Sequence, residues 1–119
     1  MNAVLICYDK CSTCQKARKW LDVHGITYAA RPIREQNPTL EELVQWQKVS
    51  GLPLKSFFNT SGTLYRQMEL TKRLPQMTDE EKLSLLSSDG MLVKRPLLIL
   101  ENRVLVGFKE TEWQQALLG

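Results

Sequence analysis

Short apolar runs near both ends of the chain flank amphipathic stretches, and this pattern predicts an α/β protein. Residues 3–8 form an apolar run that predicts the first strand. Residues 12–24 carry apolar side chains at helical spacing and are followed by Gly25, a common helix terminator. The run 26–30 predicts a second strand. A strand–helix–strand unit of this length indicates two parallel strands joined by a right-handed crossover.

Two capping signals divide the middle of the chain into helices. Thr39 and Thr78 each precede a glutamate by three residues, which is the capping-box pattern. They predict helices that run to about Ser50 and about Ser87, with a loop at residues 59–62 between them. In the first of these helices the apolar side chains available for burial are Leu40, Leu43, Val44 and Trp46.

The last third of the chain returns to strands. Residues 96–100 and 104–106 are apolar runs, and the turn signal between them predicts an antiparallel hairpin. A closing helix is predicted over residues 111–117. The order of elements is that of a thioredoxin-like (glutaredoxin-like) α/β fold with a mixed four-stranded sheet. A helical insertion over about residues 38–90 separates its two halves.

Composition narrows the function classes. A chain of 119 residues predicts a single domain over residues 1–119. A net charge of +3, spread along the chain, gives no case for direct nucleic-acid binding. No apolar run approaches the ~20 residues that span a bilayer, and no signal peptide is recognised, so we expect a cytoplasmic protein. Three cysteines and one histidine favour neither a disulfide scaffold nor a zinc site.

The main candidate chemistry is a pair of cysteines, Cys11 and Cys14, at the junction of the first predicted strand and helix. A thiol there faces unpaired backbone N–H groups and the positive end of the helix dipole, and both favour thiolate. We expect Cys11 to attack and Cys14, one turn further on, to resolve the product as an intramolecular disulfide. The alternative is two buried small hydrophobic residues. Cys7, within the strand, is expected in the core.

Arg95 is the second candidate. It precedes Pro96 at the entrance to an apolar strand, where a charge is otherwise unfavourable. Its forked donors suit an oxyanion or a thiolate, and the alternative is a surface ion pair. In a thioredoxin-like fold this loop faces the cysteine pair and its proline is usually cis. Lys10 either stabilises a thiolate or is solvated, and Asn59 belongs to a loop that is either a second wall of the site or a connection. Ser12 or Thr13 is expected to cap the first helix.

Together these residues resemble the arsenate reductase (ArsC)/Spx family of thioredoxin-like proteins. The likeness rests on residues 8–17, 51–62, 94–96 and 106–108, and it covers nearly the whole chain. In glutaredoxin-coupled arsenate reductases one cysteine attacks arsenate and three arginines surround the oxyanion. By this resemblance Cys11 matches the nucleophile and Arg95 one arginine, while the other two arginine positions fall on Asn59 and Gly107.

The resemblance implies two classes of function. The first is an arsenate-reductase-like thiol–disulfide oxidoreductase with Cys11, Cys14 and Arg95 as catalytic residues. It would need no bound metal or organic cofactor, and glutathione with glutaredoxin, or thioredoxin, would restore the dithiol. The alternative is an Spx-like redox-responsive regulator that binds the RNA polymerase α subunit. A third interpretation is an inert dithiol. Candidate substrate-binding residues are Lys10, Ser12, Thr13, Asn59 and Pro96.

Overall fold

A mixed four-stranded sheet organises residues 3–119, the part of the chain that this computed structural model describes. The strands are β1 (Val4–Cys7), β2 (Ala29–Pro32), β3 (Leu97–Ile99) and β4 (Val104–Val106). The α-helices are α1 (Ser12–Val23), α2 (Leu40–Ser50), α3 (Thr63–Gln67), α4 (Leu70–Arg73), α5 (Asp79–Ser88) and α6 (Glu110–Leu117). Short 3₁₀ turns lie at Leu54–Phe57, Leu74–Gln76 and Gly90–Leu92.

The sheet has the strand order β2-β1-β3-β4. β1 runs parallel to β2, while β1 with β3 and β3 with β4 are antiparallel. Leu5 lies at the centre, opposite Ala30 on one side and Leu98 on the other. The predicted thioredoxin-like sheet, its parallel first pair and its terminal hairpin are therefore confirmed.

Alternation along the strands creates two cores, one on each face of the sheet. Leu5 and Cys7 join α1 and α6 in one buried cluster, which includes Trp113. Ile6 faces the other way and packs with the helices of the insertion, among them Trp46 of α2 and Leu86 of α5. The helical insertion thus covers one face of the sheet, and α1 and α6 cover the other.

The second strand lies three residues later than the sequence pattern predicted, at Ala29–Pro32 instead of residues 26–30. Gly25 adopts a left-handed conformation (φ 67°), and the N–H of Ile26 then donates to the carbonyl of Leu21 in α1 at 2.9 Å. That bond holds Ile26 against the end of the helix. Pairing with β1 therefore begins only where the N–H of Ala29 reaches the carbonyl of Ala3, at 2.9 Å.

The caps of α2 and α5 form as predicted, but the buried face of α2 differs. Both Thr39 and Thr78 complete a capping box with the glutamate three residues on. Leu43 and Trp46 are buried, whereas Leu40 and Val44 are 47% and 44% exposed. A helix turns by about 100° per residue, so burying the large Trp46 ring rotates Val44 away from the core. No helix among residues 3–119 is long and apolar enough to cross a membrane.

Candidate functional site

Helix α1 begins at Cys11, which is its N-cap residue with extended backbone angles (φ −91°, ψ 119°). Ser12 and Thr13 lie inside the helix, so the expectation that one of them caps it is wrong. The turn from β1 into α1 is closed by the N–H of Cys11, which donates to the carbonyl of Tyr8 at 3.0 Å. As a thiol, the side chain of Cys11 accepts no capping hydrogen bond. The N-terminal N–H groups of α1 therefore remain available to a charge on that sulfur.

Cys14 lies one turn into α1 and is buried, with 1% of its surface exposed. The N–H of Tyr8 donates to the sulfur of Cys14 at 3.4 Å, so this thiol sits directly beneath the loop that carries Cys11. Both cysteines, together with Cys7, are free thiols in this structure. The sequence prediction of two neighbouring thiols at the strand-to-helix junction matches this geometry.

The surroundings shift the pKa values of the two thiols in opposite directions. Burial raises the pKa of Cys11, but the backbone N–H groups of Cys14 and Thr13, the Cys14 thiol and the Arg95 guanidinium outweigh it, and the pKa falls below its ordinary 9.0. For Cys14, burial dominates and raises the pKa to about 12, with a further contribution from negative charge on Cys11. Cys11 is therefore the more readily ionised of the two thiols, and Cys14 keeps its proton to higher pH.

Arg95 lies beside Cys11 and is held by its surroundings. The Arg95–Pro96 peptide bond is cis, as expected from the fold. The guanidinium carbon lies 5.2 Å from the centre of the Tyr8 ring, and Nη1 donates to the carbonyl of Met91 at 3.5 Å. The Nε atom is buried and has no hydrogen-bond partner within residues 3–119. A buried donor without a partner is unusual, and here it belongs to a cation beside the Cys11 sulfur.

A cavity of about 690 Å³ opens next to Cys11 and Arg95. Of the residues predicted to bind substrate, Thr13 and Asn59 line it. In the described part of the chain, Lys10, Ser12 and Pro96 are not part of its lining. Ser61, Gly62 and Thr63 complete the polar wall that begins at Asn59, so the 59–62 loop is a wall of this cavity.

Two lysines also line the cavity, and the sequence analysis did not select them. Lys94 precedes Arg95, and Lys109 precedes α6. Gly107, which also lines the cavity, has a positive φ of 78°, and a Cβ atom added there would lie 3.0 Å from Cε of Lys94. The Lys94 side chain therefore crosses over Gly107. Lys94 could have been selected from the sequence because it directly precedes Arg95, whereas no feature of the sequence marks Lys109 as a site residue.

Cys7 lies in the core, as expected, with 3% of its surface exposed. Burial raises the pKa of its thiol, although the Arg18 guanidinium, 4.0 Å from the sulfur, opposes this. Within residues 3–119 no group of three or more His, Cys, Asp and Glu side chains could hold a metal ion. The charged and thiol-bearing side chains that line the cavity are those of Cys11, Asp89, Lys94, Arg95 and Lys109.

The family model described as "ArsC family" matches residues 7–116. One relative is the uncharacterised protein YusI of Bacillus subtilis (strain 168), 48% identical over 115 residues, which are 97% of this chain and 98% of that protein. Another is the global transcriptional regulator Spx 2 of Oceanobacillus iheyensis, 30% identical over 107 residues, which are 90% of this chain and 78% of the regulator.

Solved structures agree with the fold. A crystal structure of an ArsC family related protein from Bacteroides fragilis is 52% identical and superposes with a TM-score of 0.94, covering 97% of each chain. A protein from Streptococcus mutans UA159, described as a possible arsenate reductase, is 42% identical with a TM-score of 0.83 over 90% of this chain and 91% of that one. The resemblance inferred from the sequence is thereby confirmed.

Proposed function

Because this protein belongs to the ArsC family, we propose that it is an arsenate-reductase-like thiol–disulfide oxidoreductase that works through Cys11 and Cys14. The observation that carries the proposal is the opposite acidity of the two thiols. Cys11 has a lowered pKa at the N-terminus of α1, and Cys14 has a pKa raised to about 12 directly behind it. An inert dithiol would need no such difference.

The proposed reaction begins with attack by the Cys11 thiolate on a sulfur of a disulfide substrate. The substrate S–S bond breaks, one half leaves as a thiolate that takes a proton from water, and the other half stays on Cys11 as a mixed disulfide. Cys14 then loses its proton and attacks the sulfur of Cys11. The second half of the substrate leaves, and the protein holds a Cys11–Cys14 disulfide. Two electrons have passed from the protein to the substrate.

The electrostatic coupling between the two thiols explains why Cys11 reacts before Cys14. Negative charge on Cys11 is one of the causes that raise the pKa of Cys14. Formation of the mixed disulfide removes that charge, so the pKa of Cys14 falls when its attack is needed. Before that step, the proton on Cys14 prevents it from competing for the substrate.

Arg95 stabilises the Cys11 thiolate and the charge that develops on the substrate. Its buried, unpartnered Nε and its contact with the Tyr8 ring favour this role over a surface ion pair. Thr13 and Asn59 line the cavity and are proposed to contact the substrate. We also propose that Lys10, Ser12 and Pro96 contact the substrate, from positions outside the cavity lining.

We further propose that no resident metal or organic cofactor takes part and that the protein works in the cytoplasm. Glutathione with glutaredoxin, or thioredoxin, would reduce the Cys11–Cys14 disulfide by the same exchange chemistry run through a partner thiol. The chain would then meet small thiols or redox proteins as partners.

The decisive experiment compares the wild type with Cys11→Ser and Cys14→Ser variants. Purified reduced protein is offered bis(2-hydroxyethyl) disulfide and, separately, arsenate, with glutathione and glutaredoxin or with thioredoxin as reductant. We expect wild-type turnover and no turnover by Cys11→Ser. When the disulfide is added without a reductant, Cys14→Ser should accumulate a mixed disulfide on Cys11, detected by mass spectrometry.

A Cys7→Ser variant serves as the matched control because Cys7 is a neighbouring thiol outside the proposed reaction. It should retain turnover. Loss of activity in Cys7→Ser with full activity in Cys11→Ser would refute the assignment of the nucleophile. Full turnover of Cys14→Ser with glutathione would remove the resolving role from Cys14.

A second candidate function is an Spx-like redox-responsive regulator that binds the RNA polymerase α subunit. The observation in its favour is the similarity to the regulator from Oceanobacillus iheyensis across 90% of this chain. In this case the Cys11–Cys14 exchange would be a switch instead of a catalytic cycle. Neither candidate requires direct contact with nucleic acid.

The two candidates are separated by a binding measurement. Purified α subunit is titrated against the chain in the reduced state and after oxidation with diamide, with Cys11→Ser as the variant that cannot form the Cys11–Cys14 disulfide. Affinity that changes with oxidation in the wild type alone would support the regulator. Equal or absent binding in both states would leave the enzyme as the function.

A further inference from the structure

We propose that the cavity beside Cys11 selects a small organic disulfide that carries carboxylates, with Lys94 and Lys109 as the residues that recognise them. This inference rests on the proposed thiol–disulfide exchange and names its substrate class. Three observations carry it: the balance of charge in the cavity, the placement of Lys94, and the volume of the cavity.

The cavity is lined by more positive than negative side chains. Lys94, Arg95 and Lys109 contribute three cations, and Asp89 contributes one carboxylate. The Asp89 carboxylate is already engaged, because its Oδ1 accepts the N–H of Met91 at 2.9 Å. A ligand that carries negative charge is therefore favoured in this cavity over a neutral or positive one.

Lys94 lines the cavity but is not confined to it, because it also lines two neighbouring clefts, one of which it shares with Lys109. The N–H of Lys94 donates to the carbonyl of Phe57 at 2.7 Å, which fixes the main chain immediately before Arg95. Its side chain then crosses Gly107, where a Cβ would lie 3.0 Å from Cε. The absence of a side chain at Gly107 thus leaves the space that the Lys94 stem occupies at the edge of the cavity.

Arg95 places a further cation at the end of the cavity next to Cys11. Its Nε is buried without a partner among the described residues, although Nη1 is held by Met91. A buried donor of a charged group is satisfied in most proteins by an acceptor. The Cys11 thiolate is one such acceptor, because Arg95 is among the groups that lower the pKa of that thiol, and the two lysines would hold the more distant negative charges of a bound disulfide.

The volume of the cavity separates two sources of negative charge. Sites for small organic molecules measure about 300–1,000 Å³, and this cavity of about 690 Å³ falls within that range. A small inorganic oxyanion is only a few times larger than one water molecule, which occupies about 30 Å³ in the liquid. Such an ion would leave most of the space filled with solvent. The volume therefore favours an organic anion.

The test uses three disulfides that differ mainly in charge: 3,3′-dithiodipropionate with carboxylates, bis(2-hydroxyethyl) disulfide without charge, and cystamine with ammonium groups. Reduced wild-type protein is mixed with each, and formation of the Cys11–Cys14 disulfide is followed by acid quenching and mass spectrometry. Each rate constant is divided by that of the same disulfide with dithiothreitol, which corrects for the intrinsic reactivity of the probe. We expect the corrected rates to fall in the order carboxylate, neutral, ammonium.

Lysine variants then assign the preference to residues. Lys94→Met and Lys109→Met keep the side-chain stem and remove the charge. Each should lower the ratio of the carboxylate rate to the neutral rate by about two- to fivefold, as expected for one exposed ion pair. Lys16→Met is the matched control, because Lys16 lies on α1 close to Cys11 but outside this cavity, and it should keep the ratio of the wild type. Raising the salt concentration should reduce the ratio in the wild type more than in Lys94→Met.

The possible outcomes distinguish failure of this inference from failure of the proposed exchange reaction on which it rests. Equal corrected rates for the three probes, or a ratio that survives both lysine substitutions, would overturn the inference while leaving the exchange reaction intact. Oxidation by none of the three disulfides would overturn the exchange reaction itself. Arsenate turnover without any preference for the carboxylate probe would assign the cations to an inorganic oxyanion and overturn the organic class.

Discussion

The protonation of Cys14 is the feature whose effect can be measured most directly. Burial is the main cause that raises its pKa from the ordinary 9.0 to about 12. At a pH below both pKa values, each unit of difference in pKa changes the thiolate population tenfold. At pH 8 the native state therefore holds about a thousandfold less Cys14 thiolate than an unfolded chain. Alkylating agents react with the thiolate. A less acidic thiolate is intrinsically more nucleophilic, which offsets part of this difference, so unfolding the chain should accelerate alkylation of Cys14 by roughly 30- to 1,000-fold.

The assay treats native and urea-unfolded protein with iodoacetamide at pH 8 under reducing conditions, with quenching at increasing times. Trypsin cleaves after Lys10 and Lys16, which leaves Cys11 and Cys14 in one peptide and Cys7 in another. Fragmentation of the shared peptide assigns the label to either thiol. Cys11 is the internal reference, because its pKa is lowered in the native state and its alkylation should not depend on unfolding in this way.

A pH series distinguishes protonation from simple shielding by the protein. If the proton limits the reaction, the native rate for Cys14 rises with pH and reaches no plateau below pH 10, whereas the rate for Cys11 levels off earlier. The reasoning would be refuted by a native rate for Cys14 within tenfold of the unfolded rate, or by a plateau near neutral pH.

Three further substitutions test other parts of the structure. Arg95→Met should raise the pKa of the attacking thiol, because a cation that stabilises its thiolate is removed, and the pH profile of its alkylation should move to higher pH. Glu42→Gln should lower the free energy of unfolding in urea by about 1–2 kcal/mol at pH 7, after discounting for solvent exposure, because hydrogen bonds from Arg31 hold the pKa of that carboxyl at about 2. This stabilisation is complete above the unfolded pKa of 4.5 and is lost as the pH falls through about 2, so the two proteins should converge in acid and not in base. Gly90→Ala should lower the midpoint of thermal unfolding by an amount equivalent to about 1–3 kcal/mol, because its Cβ would collide with the backbone carbonyl of Ile33, and a midpoint equal to that of the wild type would contradict this.

The features that the sequence predicts well are those decided by neighbouring residues. Thr39 and Thr78 start helices because their hydroxyl groups accept N–H groups only three residues away. Cys11 and Cys14 lie within one helical turn of each other because only three positions separate them in the sequence. The parallel first pair and the terminal hairpin also follow from short apolar runs and the lengths of their connections.

The features that the sequence does not predict depend on contacts between distant segments. The start of β2 is delayed because Ile26 bonds to the end of α1. Val44 is exposed because Trp46 occupies the interior. Lys94 and Lys109 lie fifteen residues apart along the chain, and only the packing of β4 and its following loop brings both to the cavity of Cys11. Such placements follow from the tertiary fold, and apart from the position of Lys94 next to Arg95 they leave no local pattern.

The N-cap position of α1 is where we expect the fold to give up stability for the proposed nucleophile. α2 and α5 begin with a threonine that accepts a helix N–H, and both carry acidic residues in the first turn. α1 begins with Cys11, whose thiol accepts no such bond, and its first turn contains no acidic residue. The N–H groups at this helix end are left for the thiolate.

Replacing that sulfur by a hydroxyl should therefore make the protein more stable and inactive. Cys11→Ser supplies a preferred N-cap, which is worth about 0.5–1 kcal/mol over a residue that does not cap. At pH 5 the wild type holds the uncapped thiol, so urea unfolding should give the variant the larger free energy of unfolding. The folded pKa of Cys11 is lowered, so its thiolate stabilises the wild type as the pH rises, most fully above the unfolded value of 9.0, and the advantage of the variant should shrink between pH 5 and pH 9. A variant that is less stable than the wild type at pH 5 would mean that the helix end does not depend on a cap, and that the N–H groups of α1 are not what prepares Cys11 to react.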